Sequence, residues 1–338
     1  MKEYLIGPSD EGIRLDKQLS KILDNAGNGF IYKMLRKKNI TVNDKKATGN
    51  EHLKAGDMIR IYLSDETFEK FSSAGKAVRI AGVPDESSII RINDIIIHED
   101  NDILILNKPA GILSQKADAS DFSINELCLS YLMKKGEITD ESLKLFKPSV
   151  CNRLDRNTSG IIVFAKTYKA AALFASALKD RTIHKYYLCI VRGRIDKEDK
   201  SNAFLIKDEK SNTVKVTDEE SKGASLISTA FRPLARNDEY TLLEVDLITG
   251  KSHQIRAQMA YLDHPLLGDY KYGDRHLNDM LKSRFKVSSQ ALHAYKLVIP
   301  SYDDNEISRF AGTYRAEPPE NMKDLIMELL DIDIKDID

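Results

Sequence analysis

Short β-prone runs recur along the middle of the chain, between residues 95 and 248, and they limit the folds that it can adopt. The runs at residues 103–106, 161–165 and 184–191 are rich in apolar side chains, and turn-forming residues separate them from one another. Helical periods are fewer, and the Ala-rich stretch at residues 168–178 is one of them. This distribution predicts the α+β class, with a largely antiparallel sheet and flanking helices.

Length and composition exclude several classes of protein. The 338 residues are enough for two domains, and the formal net charge is −1. Because the chain has neither a run of about 20 apolar residues nor an apolar leader, we expect a cytoplasmic protein that does not enter the membrane. The three cysteines form no C-x-x-C pair, and the seven histidines form no H-E-x-x-H pattern. We therefore expect no disulfide framework and no metal.

The N-terminal module, residues 12–63, carries an excess of positive charge. It has 11 Lys plus Arg against 5 Asp plus Glu, a balance of +6 in a chain whose total is −1. Two helical periods are followed by strand-forming runs, and the second helix ends in Arg36, Lys37 and Lys38. The apolar residues of each helix fall on one face, and they include Leu15, Leu19, Ile22 and Ile31. Such a patch suits contacts with nucleic-acid phosphates. The alternative is a solvated helix face, with the three basic residues favoured by the helix dipole.

Two polar stretches flank the central part of the chain. Residues 64 to about 90 show no strong period, which predicts a linker with some local order. The C-terminal tail, residues 316–338, is acidic, with 8 acidic and 2 basic residues from Glu317 onward. Apolar residues after Pro318 and Pro319 predict an amphipathic helix. We expect it to dock onto the central domain, and a partner-binding tail is the alternative.

The most chemically loaded stretch is residues 152–160, NRLDRNTSG, which runs into the apolar segment 161–165. Here Asp155 lies between Arg153 and Arg156, and turn formers follow before the strand begins. A carboxylate just before the start of a strand, with guanidinium groups close by in the sequence, is a candidate nucleophile. By chemistry alone, a surface turn with solvated charges is the commoner case.

A second loaded stretch is residues 249–259, TGKSHQIRAQM. Ser252 is the predicted N-cap of a helix that begins after it. Arg256 lies near the start of this helix, where it could meet an acidic partner or only a structural carboxylate. His253 is either a catalytic base or a hydrogen-bonded structural residue. Tyr187, in the strand at residues 184–191, is likewise a catalyst or a core residue.

Residues 14–62 resemble an S4 RNA-binding domain. The matching segments are R-L-D-K at residues 14–17, the basic second helix, I-T-V-N at residues 40–43 and L-K-A-G-D at residues 53–57. S4 domains usually have Ser and Arg at the entry to the second helix, where this chain has residues 28–31, N-G-F-I.

Residues 12–310 resemble the RluA family of pseudouridine synthases, and the N-terminal module makes the RluC type the most similar. The most specific motif is R-L-D at residues 153–155 with T-S-G at residues 158–160, although the family usually has His where this chain has Asn152. Four further motifs follow the family order. They are N-K-P at 107–109, Lys185 with Tyr187, T-G with H-Q-I-R at 249–256 continuing to H-P at 264–265 and G-D at 268–269, and L-H-A at 292–294 with Leu297.

This resemblance implies an isomerase that converts specific uridines in RNA to pseudouridine without a cofactor. Asp155 would be the essential catalyst, acting either as a nucleophile on the ribose or as a base that takes a ribose proton. Arg256 would keep this carboxylate charged, and Tyr187 would contact the target base. Leu297 would pack against the base, and Arg153 would fill the space that the flipped uridine leaves.

The resemblance also implies the domain plan and the partner. It gives an S4-like domain at residues 12–63, a catalytic domain at residues 91–315 and a helical tail at residues 316–338. RluC-type enzymes act on large-subunit ribosomal RNA, which is the expected substrate, with transfer RNA as the alternative. Lys185, Arg36, Lys37 and Lys38 would bind the RNA, and we expect a monomer. The rival classes are an inactive RNA-binding protein and a hydrolase with paired carboxylates.

Overall fold

The computed structural model describes residues 1–72, 90–118, 120–208 and 213–336. Contacts divide the chain into two compact units. The first comprises Met1–Ile105, Gln115–Asn152 and Val163–Ala175, and the second comprises Leu106–Ser114, Arg153–Ile162 and Ser176–Asp338. Each unit is described by itself below.

The first unit begins with a small α/β module. Its elements are β1 (Lys2–Leu5), α1 (Leu15–Ile22), α2 (Asn28–Arg36), β2 (Ile40–Val42), β3 (Lys45–Lys46) and β4 (Met58–Ile61). The strands form an antiparallel sheet in the order β1-β4-β2-β3. The apolar faces predicted for the two helices, including Leu15, Leu19 and Ile31, are buried in one core with Ile59 and Ile61 from the sheet. Because β1 pairs with β4, this sheet begins before residue 12.

The predicted linker opens with a helix. Ser64 caps helix α3 (Asp65–Phe71) by accepting a hydrogen bond from the Thr67 backbone N–H, and Phe68 is buried. The beginning of the stretch is therefore ordered by a helix cap that we did not predict. Residues 73–89, which make up most of the predicted linker, lie outside the described residues.

Further elements lie in the first unit or span the two units. They are β5 (Ile96–Glu99), β6 (Ile103–Lys108), α4 (Ile124–Lys134), α5 (Asp140–Leu145), β7 (Ser149–Val150), β8 (Ser159–Ala165) and α6 (Tyr168–Lys179). The elements β6, β8 and α6 each begin in one unit and end in the other. Every residue of β8 is buried, as its continuous apolar run predicted.

The second unit is built on a large sheet. Its remaining elements are β9 (His184–Arg192), β10 (Asp199–Asp208), β11 (Thr213–Thr217), β12 (Ser225–Arg236), β13 (Tyr240–Asp246), α7 (Gln254–Tyr261), α8 (Arg275–Phe285), β14 (Leu292–Ile299), β15 (Gly312–Arg315) and α9 (Glu320–Leu330). The strand order runs β11-β10-β12-β13-β9-β14-β8, and β15 also pairs with β14. Only the β14–β8 pair in this series is parallel. The α+β class and the mainly antiparallel sheet are thus confirmed.

The two faces of this sheet bury different helices. On β9, Tyr187 and Cys189 pack with Ile255 and Met259 of α7, while Leu188 and Ile190 pack with residues of α8 and α9. This split follows from the two-residue period of a strand. The face that carries Tyr187 also includes Leu154, the residue before Asp155. The sheet thereby brings α7 and the stretch around Asp155 to one side.

The C-terminal helix lies on the opposite face. Met322, Leu325 and Ile326 of α9 are buried there, and these apolar residues dock the helix onto its own unit as the amphipathic pattern predicted. The hairpin β10–β11 with β12 is an element that we did not predict. It packs against Ala257 of α7 and against Tyr272. No helix among the described residues has the length and the apolar character needed to cross a bilayer.

Candidate active site

The Asp155 loop, residues 153–158, is anchored at its start by Ser114. The Ser114 hydroxyl donates to the Leu154 carbonyl at 2.9 Å and accepts from the Leu154 N–H at 3.0 Å. Within the loop, the Thr158 N–H donates to the Asp155 carbonyl at 3.0 Å. The turn formers recognised in the sequence therefore close a tight turn, and Asp155 is held where β8 begins.

A buried lysine holds the middle of the loop. Lys108, fully buried, donates from Nζ to the carbonyls of Pro109, Ile112 and Arg156 at 2.9, 2.8 and 3.1 Å. The three protons of an ammonium match these three acceptors. Burial lowers the pKa of Lys108 to about 7, while the charge of Asp155 opposes this shift. Lys108 thus ties the Asp155 loop to the segment 109–112.

Arg256 on α7 makes the ion pair that the sequence suggested. Its Nη1 donates to Oδ2 of Asp155 at 3.0 Å, with 8% of the Arg256 side chain and 27% of the Asp155 side chain exposed. Burial opposes the charged guanidinium, but the hydrogen bonds and charges of Asp269 and Asp155 raise the pKa of Arg256. The site therefore keeps an arginine cation against the Asp155 carboxylate.

Asp269 is the functional candidate that the sequence analysis missed. It is fully buried and accepts hydrogen bonds from Arg256 Nε at 2.7 Å and Nη2 at 2.9 Å. The backbone N–H groups of Lys271 and Tyr272 also donate to Oδ1 of Asp269. The only signal was G-D at residues 268–269 within the family motifs, and nothing local linked it to Arg256.

His253 and Tyr272 form a hydrogen-bonded pair beside Asp155. The Nδ1 atom of His253 lies 2.9 Å from the Tyr272 hydroxyl, and its Nε2 lies 3.9 Å from Oδ2 of Asp155. Burial lowers the pKa of His253, and the charge of Asp155 opposes that shift. The guanidinium of Arg256 lies over the Tyr272 ring, 5.3 Å from its centroid.

The predicted N-cap of α7 was wrong. His253, rather than Ser252, is the cap residue, and it has a left-handed backbone with φ of 54° and no side-chain cap bond. The side chain of His253 is used for the contact with Tyr272 instead. A non-glycine residue in this conformation is uncommon and often marks a functional site.

Tyr187 reaches the same side of the sheet through β9. It is buried, and burial together with the charge of Asp155 raises its pKa. Lys185, two residues earlier, is partly buried and lies near Gly250, whose added Cβ would be 3.5 Å from Nζ of Lys185. Leu297 on β14 is buried and pairs in register with Lys185.

The remaining predicted residues are exposed side chains. Arg153 is exposed at the edge of the Asp155 loop. Arg36, Lys37 and Lys38 are exposed at the end of α2, in the first unit. The structure brings together Asp155, Arg256 and Tyr187 and adds Asp269, His253 and Tyr272, which the predicted set of site residues had left out.

Asn152 has a structural contact of its own. Its Oδ1 accepts a hydrogen bond from the Val163 N–H at 2.8 Å, and both residues belong to the first unit. Asn152 therefore fixes the backbone of β8 near the point where the Asp155 loop departs. The contact gives Asn152, which precedes the R-L-D motif, a structural role.

The geometry limits the chemistry of the site. One carboxylate is held by an arginine at one oxygen, and a buried aromatic ring and a buried leucine lie on neighbouring strands. This arrangement fits a reaction that needs a single ionised carboxylate next to a flat ring. Asp269 is the second carboxylate, and both of its oxygens accept hydrogen bonds from Arg256. Asp155 and Asp269 therefore do not supply the acid and base pair of a two-carboxylate hydrolase.

Comparisons with known proteins agree with this geometry. The family model described as RNA pseudouridylate synthase matches residues 102–261. Ribosomal large subunit pseudouridine synthase C of Vibrio cholerae is 30% identical over 289 residues, which cover 84% of each chain. The Escherichia coli K12 protein of the same name is 28% identical over 322 residues, covering 91% of this chain and 92% of that relative.

Solved structures show a likeness of fold. Human RNA pseudouridylate synthase domain-containing protein 4 aligns with a TM-score of 0.55 and 20% identity, covering 70% of this chain and 94% of that one. The human domain-containing protein 1 aligns with a TM-score of 0.50 and 22% identity, covering 67% of this chain and 83% of that one.

Proposed function

The chain belongs to the RluA-type RNA pseudouridylate synthase family, and we propose that it forms pseudouridine in large-subunit ribosomal RNA with Asp155 as its essential catalyst. The observation that carries this proposal is the hydrogen bond from Arg256 Nη1 to Oδ2 of Asp155, at 3.0 Å on the face of the sheet that also holds Tyr187. It joins the two most chemically loaded stretches of the sequence, and the relatives named for this activity span most of the chain.

The reaction exchanges one bond of uridine for another. The bond between N1 and C1′ breaks, the base turns, a bond forms between C5 and C1′, C5 gives up its proton and N1 gains one. In the proposed site an ionised Asp155 starts the reaction, either by attack on C1′ or by removal of a ribose proton. Arg256 favours the ionised form because it binds the carboxylate directly.

The other predicted residues take roles around the base. Tyr187 is proposed to contact the uracil ring, and Leu297 to pack against it as apolar surface. Arg153, exposed beside the Asp155 loop, is proposed to enter the space left in the RNA when the uridine is flipped out. Base flipping costs a few kcal/mol, which contacts between basic side chains and the RNA backbone would offset.

The substrate assignment rests on the relatives and on charge. Ribosomal large subunit pseudouridine synthase C of two bacteria matches more than four fifths of the chain. We propose that residues 12–63 act as an S4-like module whose Arg36, Lys37 and Lys38 hold the RNA backbone, while Lys185 contributes to RNA binding near the site. We also propose that residues 91–315 form the catalytic domain, and that the protein is a cytoplasmic monomer that needs no metal.

Tritium release tests the proposal. Ribosomal RNA labelled with tritium at C5 of uridine is prepared from cells that lack the gene, so that the target uridines are still unmodified. Formation of pseudouridine then releases the hydrogen on C5. We expect the wild-type protein to release tritium, Asp155→Ala to release none, and both to bind the RNA equally in a filter assay. Asp180→Ala, at an exposed carboxylate, is the matched control and should behave as wild type.

Two outcomes would contradict the proposal. If the wild-type protein releases no tritium from any cellular RNA pool, the assignment as a pseudouridine synthase fails. If transfer RNA is modified and ribosomal RNA is not, only the substrate assignment fails. Mapping pseudouridines with and without the gene then identifies the uridines that are modified.

A further inference from the structure

Among the residues that the structure describes, side chains face one oxygen of the Asp155 carboxylate. Arg256 Nη1 lies 3.0 Å from Oδ2, and His253 Nε2 lies 3.9 Å from the same oxygen. Within the part of the chain that the structure describes, no donor binds Oδ1 of Asp155. The two oxygens are therefore chemically distinct before any substrate arrives.

The proton on His253 follows from its neighbours. The Tyr272 hydroxyl already accepts a hydrogen bond from the Val214 N–H at 2.9 Å, so its own proton is free to be donated to Nδ1 of His253, at 2.9 Å. In that arrangement Nε2 carries the imidazole proton and faces the carboxylate. The other tautomer would turn a nitrogen lone pair toward the negative charge of Asp155, which is repulsive.

The rigidity of this pair comes from three separate elements. Tyr272 packs with residues of β10, β11 and β12 and lies under the Arg256 guanidinium. His253 is held in a left-handed conformation at the start of α7, one turn before Arg256. Tyr272 thus contacts both side chains that face Oδ2 of Asp155, and β11 fixes Tyr272 through the Val214 backbone.

We propose that His253 is a positioning residue for Asp155, held by Tyr272 in the Nε2–H tautomer so that it and Arg256 both face Oδ2 and leave Oδ1 to react with the ribose. This inference rests on the proposed function and adds which oxygen reacts and what orients it. The separation of 3.9 Å is longer than a hydrogen bond, and catalytic hydrogen bonds in free enzymes commonly tighten when substrate binds.

Charged groups surround the pair. The charges of Asp155, Arg256, Lys271 and Asp269 act on His253, which also meets the hydroxyl of Tyr272. Asp155 in turn faces Arg256 and His253.

Steady-state kinetics on the full chain test the positioning role. We expect His253→Ala to lower kcat roughly tenfold or more with KM within about twofold. His253→Gln keeps an N–H near the position of Nε2, so it should restore most of kcat. His276→Ala, at an exposed histidine on α8, and Tyr270→Phe, at an exposed tyrosine, are matched controls that should match wild type.

Nitrogen NMR of the free protein tests the tautomer without turnover. We expect the wild-type His253 signals to be those of a neutral ring protonated at Nε2, and Tyr272→Phe to mix the two tautomers. A proton on Nδ1 of His253 in the wild type, or a wild-type kcat in folded His253→Ala, would overturn the inference. A wild-type protein that releases no tritium would refute the proposed function, while the NMR result would still decide the tautomer.

Discussion

Asp269 accepts two hydrogen bonds from Arg256, from Nε at 2.7 Å and from Nη2 at 2.9 Å, and so leaves Nη1 as the edge that meets Asp155. The planar guanidinium has a fixed geometry, and fixing two of its nitrogens fixes the third. The fully buried carboxylate of Asp269 thereby orients the Arg256 guanidinium toward the carboxylate of Asp155, which is partly exposed.

The first prediction concerns Asp269→Asn. The change removes the buried negative charge and places an amide N–H group against Arg256, so a buried cation loses its main partner. We expect the free energy of unfolding to fall by about 3 kcal/mol, because breaking a buried pair leaves an uncompensated charge. Denaturant unfolding measures it, and Asp279→Asn, at an exposed residue of α8, should cost almost nothing. Equal losses in the two variants would refute the special role of Asp269.

The second prediction concerns Arg256→Lys. A lysine carries one compact charge and cannot bind Asp269 through two nitrogens while a third meets Asp155. We expect kcat for tritium release to fall roughly a hundredfold, about 3 kcal/mol, with KM little changed. A wild-type kcat in this variant would show that a positive charge at residue 256 is sufficient. The orientation of the guanidinium by Asp269 would then not be needed for turnover.

The third prediction concerns Lys108→Met. The variant keeps the apolar stem but removes the donor to the three carbonyls of Pro109, Ile112 and Arg156. Buried carbonyls without partners are costly, and we expect a loss of about 3 kcal/mol in unfolding free energy together with slower turnover. Lys179→Met, at an exposed lysine of α6, is the control. If Lys108→Met keeps wild-type stability and turnover, the Asp155 loop does not depend on this lysine.

The fourth prediction concerns Gly160, at the start of β8. An added Cβ would overlap the Ala294 carbonyl oxygen and would lie 2.5 Å from the Ala294 backbone nitrogen, and φ of Gly160 is +116°. We expect Gly160→Ala to lower the unfolding free energy by about 3 kcal/mol, since backbone on β14 would have to move. Gly223→Ala, at φ of +89° with nothing within 4 Å, should cost only about 1 kcal/mol. Similar costs for the two would show that φ alone, rather than the close approach of β14, requires glycine.

The fifth prediction concerns pH and His293. This fully buried imidazole donates from Nε2 to the Ala316 carbonyl at 3.0 Å, and its Nδ1 lies 2.8 Å from the Ser159 hydroxyl. Burial lowers the pKa of His293 to about 4. The unfolded chain therefore binds more protons between about pH 6.5 and pH 4, and stability is present above pH 6.5 and falls as pH drops through this window.

The size of this pH effect follows from the difference between the pKa of His293 in the unfolded chain and in the folded protein. We expect His293 to contribute a loss of about 3 kcal/mol in unfolding free energy between pH 6.5 and pH 4. Unfolding curves at several pH values measure it in wild type and in His293→Gln, which lacks the titrating ring. His276→Gln, at an exposed histidine, should keep the wild-type slope. An identical slope in His293→Gln would refute the assignment.

Local patterns in the sequence determined much of this protein. The apolar run at residues 161–165 predicted the buried strand β8, and the spacing of Leu15, Leu19 and Ile22 predicted the buried face of α1. These predictions held because a strand or a helix face is specified by residues two to four positions apart. The R-L-D stretch likewise placed Asp155 in a turn before a strand.

The tertiary structure decided the contacts between residues that are far apart in the chain. Asp155 and Arg256 are 101 positions apart, and only the packing of α7 on the sheet places them 3.0 Å from each other. No local pattern pointed to Asp269 as the residue that orients Arg256, or to Tyr272 as the partner of His253. Ser252 looked like a cap because capping is a local tendency, yet the fold used His253 in a left-handed turn. The sequence by itself named Asp155 as the catalytic candidate and suggested its ion pair with Arg256. The fold selected Asp269 and Tyr272 as the residues that hold this site, because contacts between distant residues are set by packing and leave no periodic trace in the chain.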